Sequence, residues 1–200
     1  MSPATPTTSA PTESLPIRKG LDGVVVDQTK ISDVDGQRCQ LIYRGYPISE
    51  LVGKATYEEV SYLLLFGALP TRRQLTEWDG ELAARRGLDP SVLALMRAMP
   101  SAADPMAQLR TAMSFVGMLE PETDPDTVGG IRRRAVRAIA VAPTIVAALA
   151  RLHAGQDPLA PPSGTSHAAA FLTMLHDRPP SSLQAQALGR CGTDTQRGVS

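Results

Sequence analysis

The segment Ile131–Ala154 constrains the fold of this chain more than any other stretch. Its first half is basic, and its second half, Ala138–Ala150, is almost wholly apolar. A helix that is apolar on all sides is either buried on all sides or placed in a subunit interface. Pro143 predicts a kink in this helix, because proline has no amide hydrogen to donate. We therefore expect a core assembled around one long helix.

Most of the remaining chain shows the three- and four-residue apolar spacing of amphipathic helices. Thr56 and Thr71 are typical helix starts, and Glu58 and Glu59 suit the first turn of the helix that Thr56 opens. Met106, Leu109, Met113 and Val116 recur at steps of three and four, which predicts one buried stripe. Six or seven helices are predicted, starting near Ile48, Thr56, Thr71, Pro90, Asp104 and Ile131, with a last one over Ser166–His176.

A small β-hairpin is predicted ahead of these helices. Ile31–Val34 and Cys39–Tyr43 flank Asp35-Gly36, and Asp-Gly between two β-prone runs is a hairpin signal. The fold class is therefore mainly α, with a small N-terminal β-hairpin.

Composition divides the chain into three segments. Residues 1–16 are rich in Pro, Thr and Ser, and hold too little apolar surface to offset the entropy lost on folding, which predicts a disordered tail. Residues 17–188 form the predicted helical domain. Residues 189–200 are a polar, glycine-containing end.

Charge and cysteine content argue against several classes of protein. The 20 basic and 20 acidic residues give a net charge of zero, whereas a nucleic-acid binder usually has a basic excess. Cys39 and Cys191 match no zinc or redox spacing, so we expect neither a disulfide scaffold nor a metal site. No uninterrupted apolar run reaches the ~18 residues of a membrane span, and no signal-peptide pattern opens the chain. These features predict a cytoplasmic protein without a membrane partner.

Five side chains invite a catalytic interpretation. They are His153, His167, His176, Asp33 and Asp35. The three histidines lie at helix ends, where the dipole can favour them, and they show no metal-ligand or triad spacing. The two aspartates flank a tight turn, where Asp is favoured in any case. We therefore interpret all five as structural.

A basic cluster, Arg132, Arg133, Arg134 and Arg137, could bind phosphate or an acidic partner. It lies near a helix start, where cations oppose the dipole, and no glycine-rich phosphate loop accompanies it. A solvated basic face is the favoured interpretation. The residues alone thus assign no catalytic, cofactor-binding or metal-ligating side chain, and they leave substrate binding open.

Four stretches together resemble the citrate synthase family, which includes the 2-methylcitrate synthases. The family's HPM-x-x-LRTA-x-S-x-LG segment departs here at Asp104, where histidine is usual. The other stretches correspond to its GL-x-GV-x-V start with L-x-YRGY-x-I-x-L, to its YLLL-x-G-x-LP run, and to a large-domain helix and loop. The stretches are GLDGVVVDQTKISDVDGQRCQLIYRGYPISEL, YEEVSYLLLFGALPTRRQL, DPMAQLRTAMSFVGMLEPE and RRRAVRAIAVAPTIVAALARLHAGQDPLAPP.

The resemblance implies large-domain helices of that family and condensation of oxaloacetate with acetyl-CoA, a reaction of the tricarboxylic acid cycle. It implies an acyltransferase that uses acetyl-CoA as substrate and needs no other cofactor, and it implies a homodimer. The family's catalytic histidines and aspartate belong to runs such as GPLHGG and GHRVY, which do not occur in these 200 residues. No catalytic residue can therefore be assigned by resemblance. Residues 189–200 match no family run, and we interpret them as an aberrant, frameshifted tail on an incomplete fold.

Three hypotheses follow. The first is a citrate synthase-like chain that is truncated and inactive alone. The second is a scaffold subunit of a two-chain citrate or 2-methylcitrate synthase, completed by a separate chain. The third is a non-enzymatic helical interaction module, with the apolar helix Ala138–Ala150 as its contact surface. We favour the first.

Overall fold

A computed structural model describes Gly20, residues 27–120 and residues 127–191. The chain divides into two units, Met1–Lys30 and Ile31–Ser200, and every element named below lies in the second unit. The predicted tail 1–16 lies outside the described residues, as do 192–200, so the three-segment division stays a prediction. In chain order the elements are β1 (Ser32–Asp35), β2 (Gln40–Tyr43), β3 (Tyr46–Pro47), α1 (Ile48–Leu51), α2 (Tyr57–Phe66), α3 (Arg72–Ala84), α4 (Pro90–Ala98), α5 (Pro105–Leu119), α6 (Val128–His153), α7 (His167–His176) and α8 (Ser182–Cys191). The mainly α class with a small sheet at its start is confirmed.

Two turns build the small sheet. β1 and β2 pair antiparallel with Asp35 opposite Gln40, which confirms the predicted hairpin. The sequence analysis does not predict β3, which pairs antiparallel with β2 after the turn at Arg44 and Gly45. Both turn residues have positive φ, 48° and 89°, and such a turn matches the twist of paired strands. The Arg44 side chain then donates to the carbonyl of Leu64 at 3.2 and 2.8 Å, which fastens the sheet to α2.

Capping side chains fix the starts of α2 and α3, as predicted. Thr56 Oγ1 accepts a hydrogen bond from the Glu59 amide at 3.2 Å, and Glu59 Oε2 accepts one from the Thr56 amide at 2.7 Å. Thr71 and Gln74 make the same reciprocal pair on α3. Each cap satisfies amides that the helix itself cannot, which typically contributes about 1 kcal/mol.

The long helix α6 begins at Val128, earlier than predicted. Thr127 Oγ1 accepts a hydrogen bond from the Gly130 amide at 3.0 Å, so residues 128–130 are helical although their glycines suggest a turn. The helix continues through Pro143 to His153. Pro143 therefore does not end the helix, and it leaves one carbonyl of the preceding turn without its usual amide donor.

The apolar half of α6 is buried within this chain. Together with α4 and α5 it forms the largest cluster of buried side chains, Val92, Met96, Ala112, Val116, Val141, Ile145, Ala148 and Leu149. A second cluster joins α6 to α3, through Trp78, Leu82, Val136 and Ala140. Of the two alternatives drawn from the sequence, burial inside the chain therefore accounts for most of this stretch. Only Val146, 38% exposed, and Ala150 are exposed within it.

By length and composition alone, α6 could cross a membrane. An 18-residue stretch of it has a mean hydropathy of 1.7, which differs from the expectation that no segment is long enough. That expectation was based on uninterrupted apolar residues, whereas this 18-residue stretch includes a charged residue near each end. Because α6 contributes to two buried clusters, its apolar side chains already have partners inside the protein. Core helices of this kind commonly meet the same criterion.

The helix α7 runs parallel to α6. Its first residue, His167, lies close to the backbone of Ile139, and Asp177 at its end lies 3.8 Å from the Arg151 guanidinium. The last helix predicted from the sequence ends at His176, but α8 follows and extends past residue 188. The described residues thus hold eight helices, more than predicted. The signal for α8 is a capping pair, Ser181 with Gln184, directly after two prolines.

Candidate functional site

The three histidines occupy separate places. His153 Nε2 lies 2.7 Å from Gln108 Oε1, and Gln108 donates to the Pro100 carbonyl at 2.9 Å, so this histidine joins the end of α6 to α5. His167 and His176 stand at opposite ends of α7, about 14 Å apart by helical rise. The three side chains therefore form no common catalytic or metal-binding group. Among residues 27–120 and 127–191 no three His, Cys, Asp or Glu side chains are placed to hold a metal ion.

The two aspartates of the hairpin are placed as turn residues. Asp35 Oδ1 accepts hydrogen bonds from the amides of Gln37 and Arg38, both at 3.0 Å, and its other oxygen lies 3.7 Å from the Arg38 guanidinium. Asp33 is exposed on β1 opposite Ile42. These are the bonds that favour Asp in a tight turn, so the structural interpretation is supported.

The basic cluster does not form one surface. Arg132 stacks over the Phe66 ring at 4.5 Å, and Arg133 and Arg134 are exposed and engaged with neighbours. Arg137 turns inward, where its Nε lies 3.1 Å from Glu120 Oε1 and its Nη1 donates to the carbonyls of residues 85 and 87. Glu120 therefore compensates the charge of Arg137, and Arg132, Arg133 and Arg134 remain exposed to solvent.

Asp104 holds the position where the resemblance would place histidine. Its Oδ1 accepts a hydrogen bond from the Ala107 amide at 2.9 Å, with Pro105 at the first position of α5. The residue is exposed and works as an N-cap. Cys39 is a free, exposed thiol in the hairpin loop.

The most strongly perturbed group is a buried polar cluster that the sequence analysis did not assemble. We call it the α7 junction, and it consists of Tyr57, Glu58, Arg86 and His167. Glu58 Oε1 accepts a hydrogen bond from the His167 amide at 2.7 Å, and Arg86 Nη1 donates to the Thr165 carbonyl at 2.9 Å. The Tyr57 ring stacks on the His167 ring with centroids 5.0 Å apart and planes 8° apart. One carbonyl and one amide at the start of α7, those of Thr165 and His167, are thus bonded to charged side chains from the segment after α3 and from α2.

Burial dominates the electrostatics of the α7 junction. Arg86 is 1% exposed and His167 7% exposed. Burial, reinforced by the Arg86 charge, lowers the pKa of His167 from 6.5 to about 4, so the ring is neutral at pH 7. Burial raises the pKa of Tyr57, with a smaller contribution from Glu58, and it lowers the pKa of Arg86. The junction is built to hold a neutral imidazole and two opposite charges.

Only one half of this junction could have been found in the sequence. Glu58 is recognisable as a first-turn acid of α2, but its carboxylate also lies at the N-terminus of α7, where the helix dipole favours it. Arg86 carries no sequence signal, because it follows α3 in a segment that looks like an ordinary loop. The Glu58–His167 contact joins residues 109 positions apart, and the Arg86–Thr165 contact joins residues 79 positions apart. A local sequence pattern cannot predict contacts over such separations.

Comparison with known proteins gives a consistent result. The model of the family described as "Citrate synthase, C-terminal domain" matches residues 20–193. A 2-methylcitrate synthase of Mycobacterium tuberculosis is 41% identical over 186 residues, which cover 92% of this chain and 47% of that protein. A citrate synthase of Deinococcus radiodurans is 39% identical over 170 residues, which cover 85% of this chain and 45% of that protein. The chain thus spans about half the length of these relatives.

Solved structures show the same fold. The citrate synthase of Pyrobaculum aerophilum superposes with a TM-score of 0.78 at 34% identity, over 85% of this chain and 44% of that one. The Thermoplasma acidophilum enzyme, solved with carboxymethyl coenzyme A and oxaloacetate, gives a TM-score of 0.79 at 22% identity, over 86% of this chain and 46% of that one. The second likeness concerns the fold alone.

Proposed function

The chain belongs to the citrate synthase family, and from this membership we propose that it supplies the N-terminal helical part of a citrate or 2-methylcitrate synthase. In that reaction a thioester loses a proton from the carbon next to its carbonyl group. The resulting carbon nucleophile attacks the keto carbon of oxaloacetate, and water then cleaves the thioester and releases CoA. The enzyme is an acyltransferase that needs no cofactor besides its acyl-CoA substrate, and it acts in the cytoplasm as a homodimer.

One observation carries this proposal. The family match spans residues 20 to 193, and 85% of the chain superposes on a solved citrate synthase at 34% identity. Relatives of comparable identity include both citrate and 2-methylcitrate synthases, so the acyl group is acetyl or propionyl.

We further propose that the 200-residue chain alone does not turn over. Two of the three histidines in the described region are already engaged in structural contacts. His153 is bonded to Gln108, and His167 is buried with a neutral ring. Acid–base catalysis needs a group within reach of the substrate proton, and a histidine committed to structural contacts is not free to move one. The chain then contributes helices that hold the reacting groups of a complementary half.

The experiment measures thiol release from acetyl-CoA and from propionyl-CoA, each with oxaloacetate. The chain is assayed alone and after refolding with the part of the M. tuberculosis relative that it does not match. We expect no release above background from the chain alone, and release that depends on oxaloacetate from the mixture. Turnover by the chain alone would contradict the second proposal. No turnover from a mixture that forms a stable complex would contradict the first.

A completing chain distinguishes the second hypothesis from the third. Large apolar side chains are exposed on α5 and at the start of α6, namely Met106, Met118, Leu119, Val128 and Ile131. Exposed apolar side chains of this size can be covered by a partner chain. A complementary half that co-purifies with this chain supports the scaffold subunit. Capture of a protein unrelated to the family supports the interaction module instead.

A further inference from the structure

The connection between α6 and α7 is longer than its span requires. Thirteen residues, 154–166, join the two helices and form no helix or strand of their own. Asp177, just past the end of α7, lies 3.8 Å from Arg151 near the end of α6, so α7 begins about 14 Å back from that point by helical rise. Thirteen extended residues can reach roughly 40 Å. Irregular connections of this length are uncommon, and many of them are lids or binding loops.

Two glycines mark the ends of this connection, which we call the strap (residues 154–166). Gly155 directly follows the cap of α6 with φ 71°, and Gly164 precedes the start of α7 with φ 69°. Residues with a side chain rarely adopt these angles. Between the glycines the chain is stiffened by three prolines, Pro158, Pro161 and Pro162. The strap is thus a stiff segment between two positions that can act as hinges.

Asp157 fastens the strap beside its first glycine. Its carbonyl accepts a hydrogen bond from Arg151 Nε of α6 at 2.6 Å, and its carboxylate accepts one from Arg97 Nη2 of α4, also at 2.6 Å. Arg151 is 8% exposed, which shields its bond from water, whereas the Arg97–Asp157 pair lies at the surface. The Gln156 amide donates to the Arg151 carbonyl at 2.8 Å. This end of the strap is therefore held mainly by Arg151.

Thr165 fastens the strap beside its second glycine. Its carbonyl accepts a hydrogen bond from Arg86 Nη1 at 2.9 Å, and Arg86 is 1% exposed. The amide of His167, two residues later, donates to the Glu58 carboxylate at 2.7 Å. At both ends of the strap a buried guanidinium thus binds a backbone carbonyl, and a charged donor makes a stronger bond than a neutral one.

We propose that the strap is a lid that opens at its Asp157 end while α6 and α7 stay folded, and that Arg151 holds it closed. The Asp157 end opens first because Asp157 is exposed, whereas the Thr165 end belongs to the α7 junction. Opening breaks the bonds of Asp157 with Arg151 and Arg97 but leaves the core intact, since none of the described buried clusters includes a strap residue. The lid does not depend on the proposed activity.

Amide hydrogen exchange of the full natural chain, followed by NMR in increasing urea, tests local opening. The Gln156 amide should exchange at least about tenfold faster than the Ile145 amide, at a rate that urea does not change below the unfolding transition. Ile145 is fully buried and should exchange only when the whole chain unfolds. Equal rates with equal urea dependence would overturn the proposal, because the strap would then open only by global unfolding.

Removal of the buried donor tests what holds the strap closed. Arg151→Met should speed exchange at Gln156 about tenfold or more, because it deletes a hydrogen bond from a charged donor. Exchange at His167 and at Ile145 should change by less than about twofold, since the second attachment and the core remain. No change at Gln156, or an equal increase at all three amides, would overturn the proposal.

Two further arginine variants serve as controls. Arg97→Ala removes only the exposed pair with Asp157 and should speed exchange at Gln156 by less than about threefold. Arg178→Met changes an exposed arginine beyond the end of α7 and should have no effect. An effect of Arg178→Met as large as that of Arg151→Met would contradict a specific attachment.

A glycine variant tests the hinge even where Arg151→Met fails to fold. Gly155→Ala should speed exchange at Gln156 about fivefold, because alanine is disfavoured at the positive φ of the closed strap. Crowding does not explain such an effect, since no atom lies within 4 Å of the added Cβ. Gly117→Ala in α5 has equal space and no positive φ, so it should leave Gln156 unchanged. Unchanged exchange at Gln156 in Gly155→Ala would overturn the proposal.

Discussion

The helix α6 is held on its two sides by different kinds of contact. Towards α4 and α5 it packs mainly through apolar side chains, with Ile145 and Val141 fully buried, and His153 adds one polar contact with Gln108 of α5. Towards α7 the contact includes a polar pair, Arg151 near Asp177, and α7 itself begins at the charged side chains of the α7 junction. Apolar packing is non-directional, whereas the polar contacts require a defined geometry and protonation state. The first side supplies stability, and the second fixes where α7 sits.

The largest expected effect is a loss of packing on the apolar side. Ile145→Ala removes a fully buried side chain from the centre of the α4–α5–α6 cluster and should lower the free energy of unfolding by about 3 kcal/mol. Urea unfolding of the full chain measures it. The control is Val146→Ala one position along, where the side chain is 38% exposed and the loss should stay below about 1 kcal/mol. Equal losses at the two positions would refute the assignment of the core side.

Acid should destabilise the polar side through His167. The unfolded chain binds a proton at His167 below pH 6.5, whereas the folded chain resists it until about pH 4. The free energy of unfolding should therefore be unaffected by this group above pH 6.5 and should fall by about 3 kcal/mol as the pH drops to 4. Unfolding at successive pH values, with His167→Gln beside the natural chain, isolates the contribution. Parallel pH curves for the two chains would contradict it.

Removing the buried carboxylate should have a smaller effect. Glu58→Ala frees the His167 amide and takes a compensating charge from Arg86, and we expect a loss of about 2 kcal/mol. Glu81→Ala breaks an exposed 3.3 Å pair with Arg85 and should change stability by less than about 0.5 kcal/mol. Glu58→Gln keeps an acceptor and should lie between them. If Glu58→Ala were as mild as Glu81→Ala, the junction would not be holding α7.

The smallest expected effect concerns the start of α5. Asp104→Ala removes the acceptor of the Ala107 amide and should lower stability by about 1 kcal/mol. Asp104→Ser retains an acceptor and should recover most of the loss. Thermal unfolding of the three chains checks this. If Asp104→Ala left thermal stability unchanged, the cap would contribute nothing. The departure from the family's histidine would then lack a structural reason.

Local chemistry explains which parts of the fold were predictable. Helix starts were predictable because a cap acts within three residues, as at Thr56, Thr71 and Asp104. The hairpin was predictable because its turn signal, Asp35-Gly36, is equally local. The apolar half of α6 predicts its own burial because a helix without a polar face must be covered. β3 was missed since two residues show no alternation. The start of α6 was misjudged because Thr127 caps a helix that opens with glycines.

The candidate site was less predictable. The sequence marks His167 as a histidine at a helix start, but its burial depends on Tyr57 and Arg86, which lie far away along the chain. Such contacts follow from the packing of α7 on α6, which local patterns do not encode. That the described residues include no catalytic side chain stays a prediction for this chain. Which residues bind substrate stays open.

The long reach of the α7 junction has a consequence for how the chain is made. Glu58 leaves the ribosome 109 residues before His167 does, and Arg86 precedes Thr165 by 79. At roughly 5 to 20 residues per second, Glu58 waits roughly 5 to 20 s for its partner. During synthesis the start of α2 and the end of α3 therefore carry charges that lack the partners they meet in the folded chain. The bonds of Glu58 with His167 and of Arg86 with Thr165 can form only after the start of α7 has been synthesised.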